Sequence, residues 1–152
     1  MSQKPPSPLY EHIGYWLRYV SNHVSHSFAR KVEAHGVTVA EWVILRELLQ
    51  LGDVSPSRMA DHLGMTRGAI TKLADRLMAK GFVVRAVNAD DRRWQTLQIT
   101  AAGRALVPDL AELADENDQH FFGALDPQDR TDLERILKIL VRQHDLKTIP
   151  TE

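Results

Sequence analysis

The 152-residue sequence contains no cysteine. That absence excludes disulfide staples, thiolate metal sites and thiol redox switches. Long apolar runs are missing too, and no stretch approaches the roughly 18–20 residues that cross a bilayer. The opening Met1-Ser-Gln-Lys-Pro-Pro-Ser-Pro8 lacks the apolar core of a secretory leader and reads as a flexible arm over residues 1–8. The usual marks of an enzyme are also lacking. There is no Gly-x-Ser-x-Gly, no phosphate-binding Gly-rich loop, no His-Glu-x-x-His and no dinucleotide turn. Ser, His and Asp are scattered without the spacing of a nucleophile and its base. The expectation is a non-enzymatic, cytoplasmic protein with no cofactor.

What is present suits one compact domain: 43% of residues are apolar and 26% charged. The net charge of −1 conceals an asymmetry. Between Ser55 and Arg104 stand nine Lys/Arg against four acids, a net +5, while the remainder holds ten against sixteen, a net −6. A basic middle in an acidic frame is the footprint of a local polyanion site.

Apolar residues at Leu9, Ile13, Trp16, Val20, Val24 and Phe28 recur in steps of three and four, which predicts an amphipathic helix over about 9–34, ended by Gly36. Thr38 is placed to cap a second, strongly apolar helix, with Glu41 completing a capping box and Gly52 closing it. Ser55 caps a third helix with Pro56 at its first position. Gly64 supplies the turn in Leu63-Gly-Met-Thr66, and Thr66 caps a helix from Arg67 to Lys80, stopped by Gly81. The period then changes: Phe82–Val87 and Gln95–Thr100 are rich in β-formers, separated by the polar turn from Asn88 to Arg93. Thr100 caps a fifth helix, in which Pro108 is expected to kink the chain or lie near the start. Asp126 and Pro127 open a sixth, with Leu133, Ile136, Leu137, Leu140 and Val141 as its apolar stripe. The fold class predicted is mainly α with a small β-hairpin wing: a winged helix-turn-helix over about 38–100, flanked by terminal helices at about 9–34 and 101–146.

In the helix from Arg67 to Lys80, Ile70, Leu73 and Leu77 share one face and must be buried. The other face shows Arg67, Gly68, Thr71, Lys72, Asp75 and Arg76, short polar groups and long cations suited to a DNA groove. Residues of the first turn come nearest to base edges. An arginine there makes a bidentate contact to guanine worth about 1–3 kcal/mol of discrimination. Lys72 and Arg76 suit phosphates, which supply affinity and salt dependence. The alternative is a solvated helix face. On the hairpin, Asp90-Asp91-Arg92-Arg93 sets two cations beside two acids. A guanidinium on such a ribbon fits the minor groove, where the negative potential is strongest; an ordinary polar turn is the alternative.

Two stretches, Ser57 to Arg85 and Asp90-Asp-Arg-Arg93 followed by Leu97-Gln-Ile-Thr-Ala-Ala-Gly103, resemble the helix-turn-helix and wing of the MarR regulators. The resemblance spans nearly the whole chain and makes residues 9–152 a single MarR-like domain. It implies a homodimer on a pseudo-palindromic operator, commonly released by a small aromatic or phenolic ligand, with repression as the default. It further implies that Arg92 or Arg93 is the minor-groove arginine and Asp91 its orienting acid. The candidate DNA-binding residues are thus Thr66, Arg67, Gly68, Thr71, Lys72, Arg76, Asp91, Arg92 and Arg93. Trp94 departs from the pattern, being bulky for a position just past the wing tip.

The residues themselves also favour a dimer. A short winged helix cannot cover the apolar stripes of both terminal helices, whereas a two-fold pairing of these helices can. On the first helix His12, Tyr15, Tyr19, His23 and His26 fall on one side beside the stripe, bounded by Trp16, with Trp42 and Arg46 on the second helix able to face them. His12, Trp16, Tyr19, His23, Trp42 and Arg46 are therefore candidates for binding an aromatic carboxylate; packing at a dimer interface is the competing reading. His23-x-x-His26 does not make a metal site, because structural zinc takes four ligands and no others are suitably spaced. The rival from another class is a winged-helix protein-interaction module without DNA binding.

Overall fold

A computed structural model describes residues 4–87, 90 and 94–151. A 3-10 turn at Leu9–Glu11 leads into helices α1 (Ile13–Glu33), α2 (Val39–Leu51), α3 (Pro56–Leu63) and α4 (Arg67–Ala79). Strands β1 (Val83–Val87) and β2 (Gln95–Ile99) follow, then α5 (Ala101–Phe122) and α6 (Pro127–Gln143). The mainly helical architecture with one hairpin is the one read from the sequence.

Side-chain caps set most of the helix starts. Thr38, Ser55, Thr66, Thr100 and Asp126 each accept a hydrogen bond from the backbone N–H three residues on, and Pro56 and Pro127 occupy first helical positions. The capping box expected at α2 takes another form. Thr38 Oγ1 accepts from Glu41 N at 3.2 Å, but the Glu41 carboxylate turns inward to Lys80 Nζ at 2.7 Å instead of back to the Thr38 N–H. The first helix also begins later than its apolar period suggests. His12 is extended, at φ −93° and ψ 125°, and separates the 3-10 turn from α1. The turn satisfies itself: Glu11 N donates to Pro8 O, His12 N donates to Leu9 O, and the Trp16 indole takes the Tyr10 carbonyl at 2.8 Å. Pro108 lies inside α5, where its ring removes the N–H that the Arg104 carbonyl would otherwise receive.

The core is built from inner faces of α2, α3, α4 and α5 with the hairpin: Ile44, Leu45, Leu63, Ile70, Leu77, Leu97 and Leu110 are all buried. β1 and β2 pair antiparallel, with Val83 opposite Ile99 and Val87 opposite Gln95. Val54, in the link between α2 and α3, adds an isolated bridge by exchanging both backbone hydrogen bonds with Leu97, at 3.3 and 2.7 Å. The foot of the hairpin is also locked to α5. Thr100 Oγ1 donates to Gly81 O at 2.7 Å, and Thr100 N donates to Phe82 O at 3.0 Å. Gly103 sits so close that an added Cβ would lie 2.3 Å from the Phe82 carbonyl oxygen. These contacts fix the wing relative to the helix that follows it. No helix among the described residues is long and apolar enough to cross a membrane.

Candidate nucleic-acid interface

The turn before α4 sets the site. Gly64 adopts the left-handed conformation at φ 66°, which a side chain opposes, and reverses the chain between α3 and α4. Thr66 then caps α4 by accepting from Ala69 N at 3.1 Å. Burial of Ile70, Leu73, Ala74 and Leu77 orients the helix. Arg67, Gly68, Thr71, Lys72, Asp75 and Arg76 are consequently exposed on its outer side. Among the described residues Arg67, Lys72 and Arg76 enter no ion pair, so their charge is free for an outside partner. A Cβ added at Gly68 would meet nothing within 4 Å. The protomer's own packing therefore gives no reason for glycine in this first turn, whereas a partner approaching the backbone does.

The segment's cationic excess is smaller on the surface than in the sequence. Lys80 is spent on Glu41, and Arg85 Nη2 binds Asp75 Oδ1 at 3.0 Å. Asp75 thus holds an arginine of β1 against the recognition helix. Arg85 Nε is buried with no hydrogen-bond partner among the described residues. Between α3, the start of α4 and the hairpin lies an open cleft of about 770 Å³, with Ser55, Ser57, Arg67, Thr71, Arg85 and Trp94 on its walls. Arg85 and the two serines were not foreseen as interface residues. Arg85 reads in the sequence as one more strand position, and only its side-chain direction reveals it. Asp90 is exposed, while Asp91, Arg92 and Arg93 lie outside the described residues.

The residues proposed for an aromatic ligand fall into two places. On α1 the rings of Tyr15, Trp16, Tyr19 and His23 form an exposed ladder, with Trp16–Tyr19 centroids 6.4 Å apart and Tyr19–His23 5.1 Å apart. His12 precedes the ladder, its Nδ1 3.1 Å from the Pro8 carbonyl oxygen. Trp42 instead packs edge-on to Phe28, at 6.4 Å, and lines a separate hollow of about 270 Å³ with Val24, Asn117 and Pro150. Arg46 is exposed on α2 and borders neither hollow that holds Trp16 or Trp42. Within one protomer the six residues do not surround a common cavity. Among the described residues no group of three or more His, Asp or Glu is arranged to hold a metal ion.

The helix-turn-helix, its adjoining hairpin and the cations of α4, unpaired among the described residues, define the class of a winged-helix DNA-binding protein. Comparison with known proteins points to the same class. The model of the MarR family matches residues 35–93. The putative transcriptional regulatory protein for the hcr operon of Thauera aromatica is 29% identical over 132 residues, covering 86% of this chain and 80% of that protein. Two solved structures share the fold at lower identity. Bordetella bronchiseptica BpsR, described with its regulation by 6-hydroxynicotinic acid, superposes with a TM-score of 0.77 at 24% identity, over 90% of this chain and 97% of that one. A mutant MarR of Escherichia coli, complexed with operator DNA, also gives 0.77, at 23% identity, over 90% and 99%. Residues 35–93 match the MarR family, and the chain as a whole is similar to winged helix-turn-helix transcriptional regulators.

Proposed function

We propose that this regulator is a non-enzymatic cytoplasmic repressor, which holds a pseudo-palindromic operator as a homodimer and releases it when a small aromatic or phenolic ligand binds. The observation that carries the DNA half is the outer face of α4, where Arg67, Lys72 and Arg76 are exposed and, among the described residues, free of ion pairs. With α4 in the major groove, Thr66, Arg67 and Gly68 lie at base edges, and Thr71 reaches the groove floor. Lys72 and Arg76 neutralise flanking phosphates, while Arg92 or Arg93 enters the adjoining minor groove with Asp91 beside it. Pairing the exposed apolar faces of α1 and α6 across a two-fold axis sets two such helices about 34 Å apart, one turn of DNA.

The ligand half is supported by the regulation of BpsR by a hydroxynicotinic acid and by the aromatic surface of α1. A second copy of α1 placed across the two-fold axis converts the open ladder of Trp16, Tyr19 and His23 into a walled site. His12, Trp42 and Arg46 complete that site only if they are reached from the partner copy.

A mobility-shift titration on the DNA upstream of the chain's own gene, at low and high salt, tests the reading. Binding is expected to weaken steeply with salt, and a footprint should show two related half-sites. Absent or salt-insensitive binding would instead favour a protein-interaction module. Aromatic acids of the salicylate type are expected to release the DNA; no release and no change in melting temperature would remove the ligand half alone.

A further inference from the structure

One large apolar side chain beside the recognition helix is left without a role by the protomer's own packing. Trp94 immediately precedes β2 and is 65% exposed. The other two tryptophans are engaged: Trp42 against Phe28, and Trp16 through its indole N–H to the Tyr10 carbonyl. Trp94 has neither a hydrogen bond nor a ring contact among the described residues. It stands instead on the wall of the open cleft, with Arg67 and Thr71 of α4 and Arg85 of β1.

The position of that cleft determines what fills it. A duplex read by α4 in its major groove and by the wing in the neighbouring minor groove has one strand separating the two grooves. That sugar–phosphate strand must pass between the recognition helix and the wing, which is where the cleft lies. Its chemistry alternates apolar deoxyribose with anionic phosphate. The cleft offers a matching pair: a flat indole whose N–H has no partner among the described residues, and the partly exposed Arg85 guanidinium, held in place by Asp75. We propose that Trp94 is a DNA-contacting residue that packs its indole on a deoxyribose of the groove-separating strand, while Arg85, steadied by Asp75, serves the adjacent phosphate. This inference rests on the DNA-binding reading. It makes Trp94 a determinant of how deeply the strand seats, and so of the register in which Arg67 meets the bases. A tryptophan supplies large contact area at little cost in side-chain freedom, which suits a fixed stop of this kind.

The test uses the full chain labelled with fluorotryptophan, whose three fluorine resonances report the three tryptophans separately. The Trp94→Phe variant deletes one signal and thereby assigns it. On adding the duplex identified by footprinting, the Trp94 resonance should shift and lose its sensitivity to solvent. Trp94→Ala should weaken binding about tenfold, equivalent to about 1.4 kcal/mol. Because no charge is removed, the dependence on salt should keep its slope. Trp94→Phe should retain most of the affinity. A Trp94 resonance that stays put in a complex that does form, or a Trp94→Ala variant that binds as the parent does, overturns the inference and leaves the DNA-binding reading intact. A parent chain that binds no duplex overturns both.

Discussion

Lys80 Nζ donates to the Glu41 carboxylate at 2.7 Å, and that carboxylate is 1% exposed. The pair joins the first turn of α2 to the end of α4, so α4 is pinned at the end far from its Arg67–Gly68 turn. Thr38 Oγ1 adds a longer bond to the same carboxylate, at 3.3 Å. A buried carboxylate left alone is costly, and this asymmetry makes the pair testable. Lys80→Met should lower unfolding free energy by about 2–3 kcal/mol, below the full penalty for a buried pair because Lys80 is itself partly exposed. Glu41→Gln combined with Lys80→Met should cost less than the two changes summed, since the stranded charge has gone. Urea melts of the four proteins in that cycle measure it. Strict additivity would mean that the pair contributes nothing beyond its separate side chains.

Gly103 permits a close backbone approach between α5 and the foot of the hairpin. Since a Cβ there would fall 2.3 Å from Phe82 O and 2.9 Å from Ile99 Cγ1, Gly103→Ala must push the wing away from α5. Strain of this kind costs about 1–3 kcal/mol. The expected result is a lower melting temperature together with weaker DNA binding, because the displaced hairpin borders the proposed DNA-binding face of α4. A variant that melts and binds like the parent would show that the wing foot is not held as described.

How much of this was legible beforehand depended on whether the cause was local. The caps at Thr38, Ser55, Thr66, Thr100 and Asp126 are written within four residues of the groups they bind, and the buried face of α4 follows from its period. The outer face of α4 follows with it. What stayed hidden was decided by partners far along the chain. Glu41 looks like a capping-box residue until Lys80 arrives from the end of α4. Asp75 reads as one more polar group on the outer face of α4 until β1 places Arg85 beside it. The Val54–Leu97 bridge involves a single residue and leaves no period to read. The C-terminal stretch gave no sign that Ile149 N would donate to Leu63 O at 3.3 Å, laying Lys147 and Thr148 over Gly64. Trp94 was visible, but as a packing problem; its exposure turns it into a surface feature.

Gly68 sets stability against function. An alanine there meets no neighbour in the protomer, and glycine costs a helix roughly 0.5–1 kcal/mol relative to alanine. Gly68→Ala should therefore leave the protein as stable as the parent or slightly more so. The added methyl lies on the face proposed to approach DNA, and affinity should fall by about tenfold if the backbone comes within contact of the base edges. Melting curves and titrations on the same preparation separate the effects. Unchanged affinity would show that this turn stands clear of the DNA.

The cations of α4 should divide by role. Lys72→Ala and Arg76→Ala are each expected to weaken binding to all duplexes alike and to flatten the salt dependence by about one unit of slope. Arg67→Ala, at the first turn, should instead relax discrimination at one base pair of each half-site, by about 1–3 kcal/mol. Titrations against the operator and single-base variants, repeated over a range of salt, distinguish these patterns. If all three changes acted alike, the division between base reading and phosphate anchoring would be wrong.

The terminal helices present the largest mismatch between side-chain chemistry and surroundings. On α1, Ile13 is 85% exposed and Trp16 53%, and Val20 lies exposed on the same side. Leu137, Leu140 and Val141 are exposed along α6, and no residue of that helix is buried. A groove between α1, the end of α5 and α6 is walled almost wholly by such groups, among them Leu17, Phe121, Leu125 and Leu137. A contiguous apolar surface on this scale is the mark of an interface, and a second copy supplies matching groups in the correct number. Leu137→Asp places a charge in the middle of it. Sedimentation should then show a shift from dimer to monomer, while the helix-turn-helix core, built from other residues, keeps its cooperative melt. DNA affinity should collapse with the dimer, because a monomer engages a single half-site and forfeits the linked second contact. A Leu137→Asp protein that stays dimeric would place the two-fold axis elsewhere, and one that binds the whole operator as a monomer would break the connection between pairing and recognition.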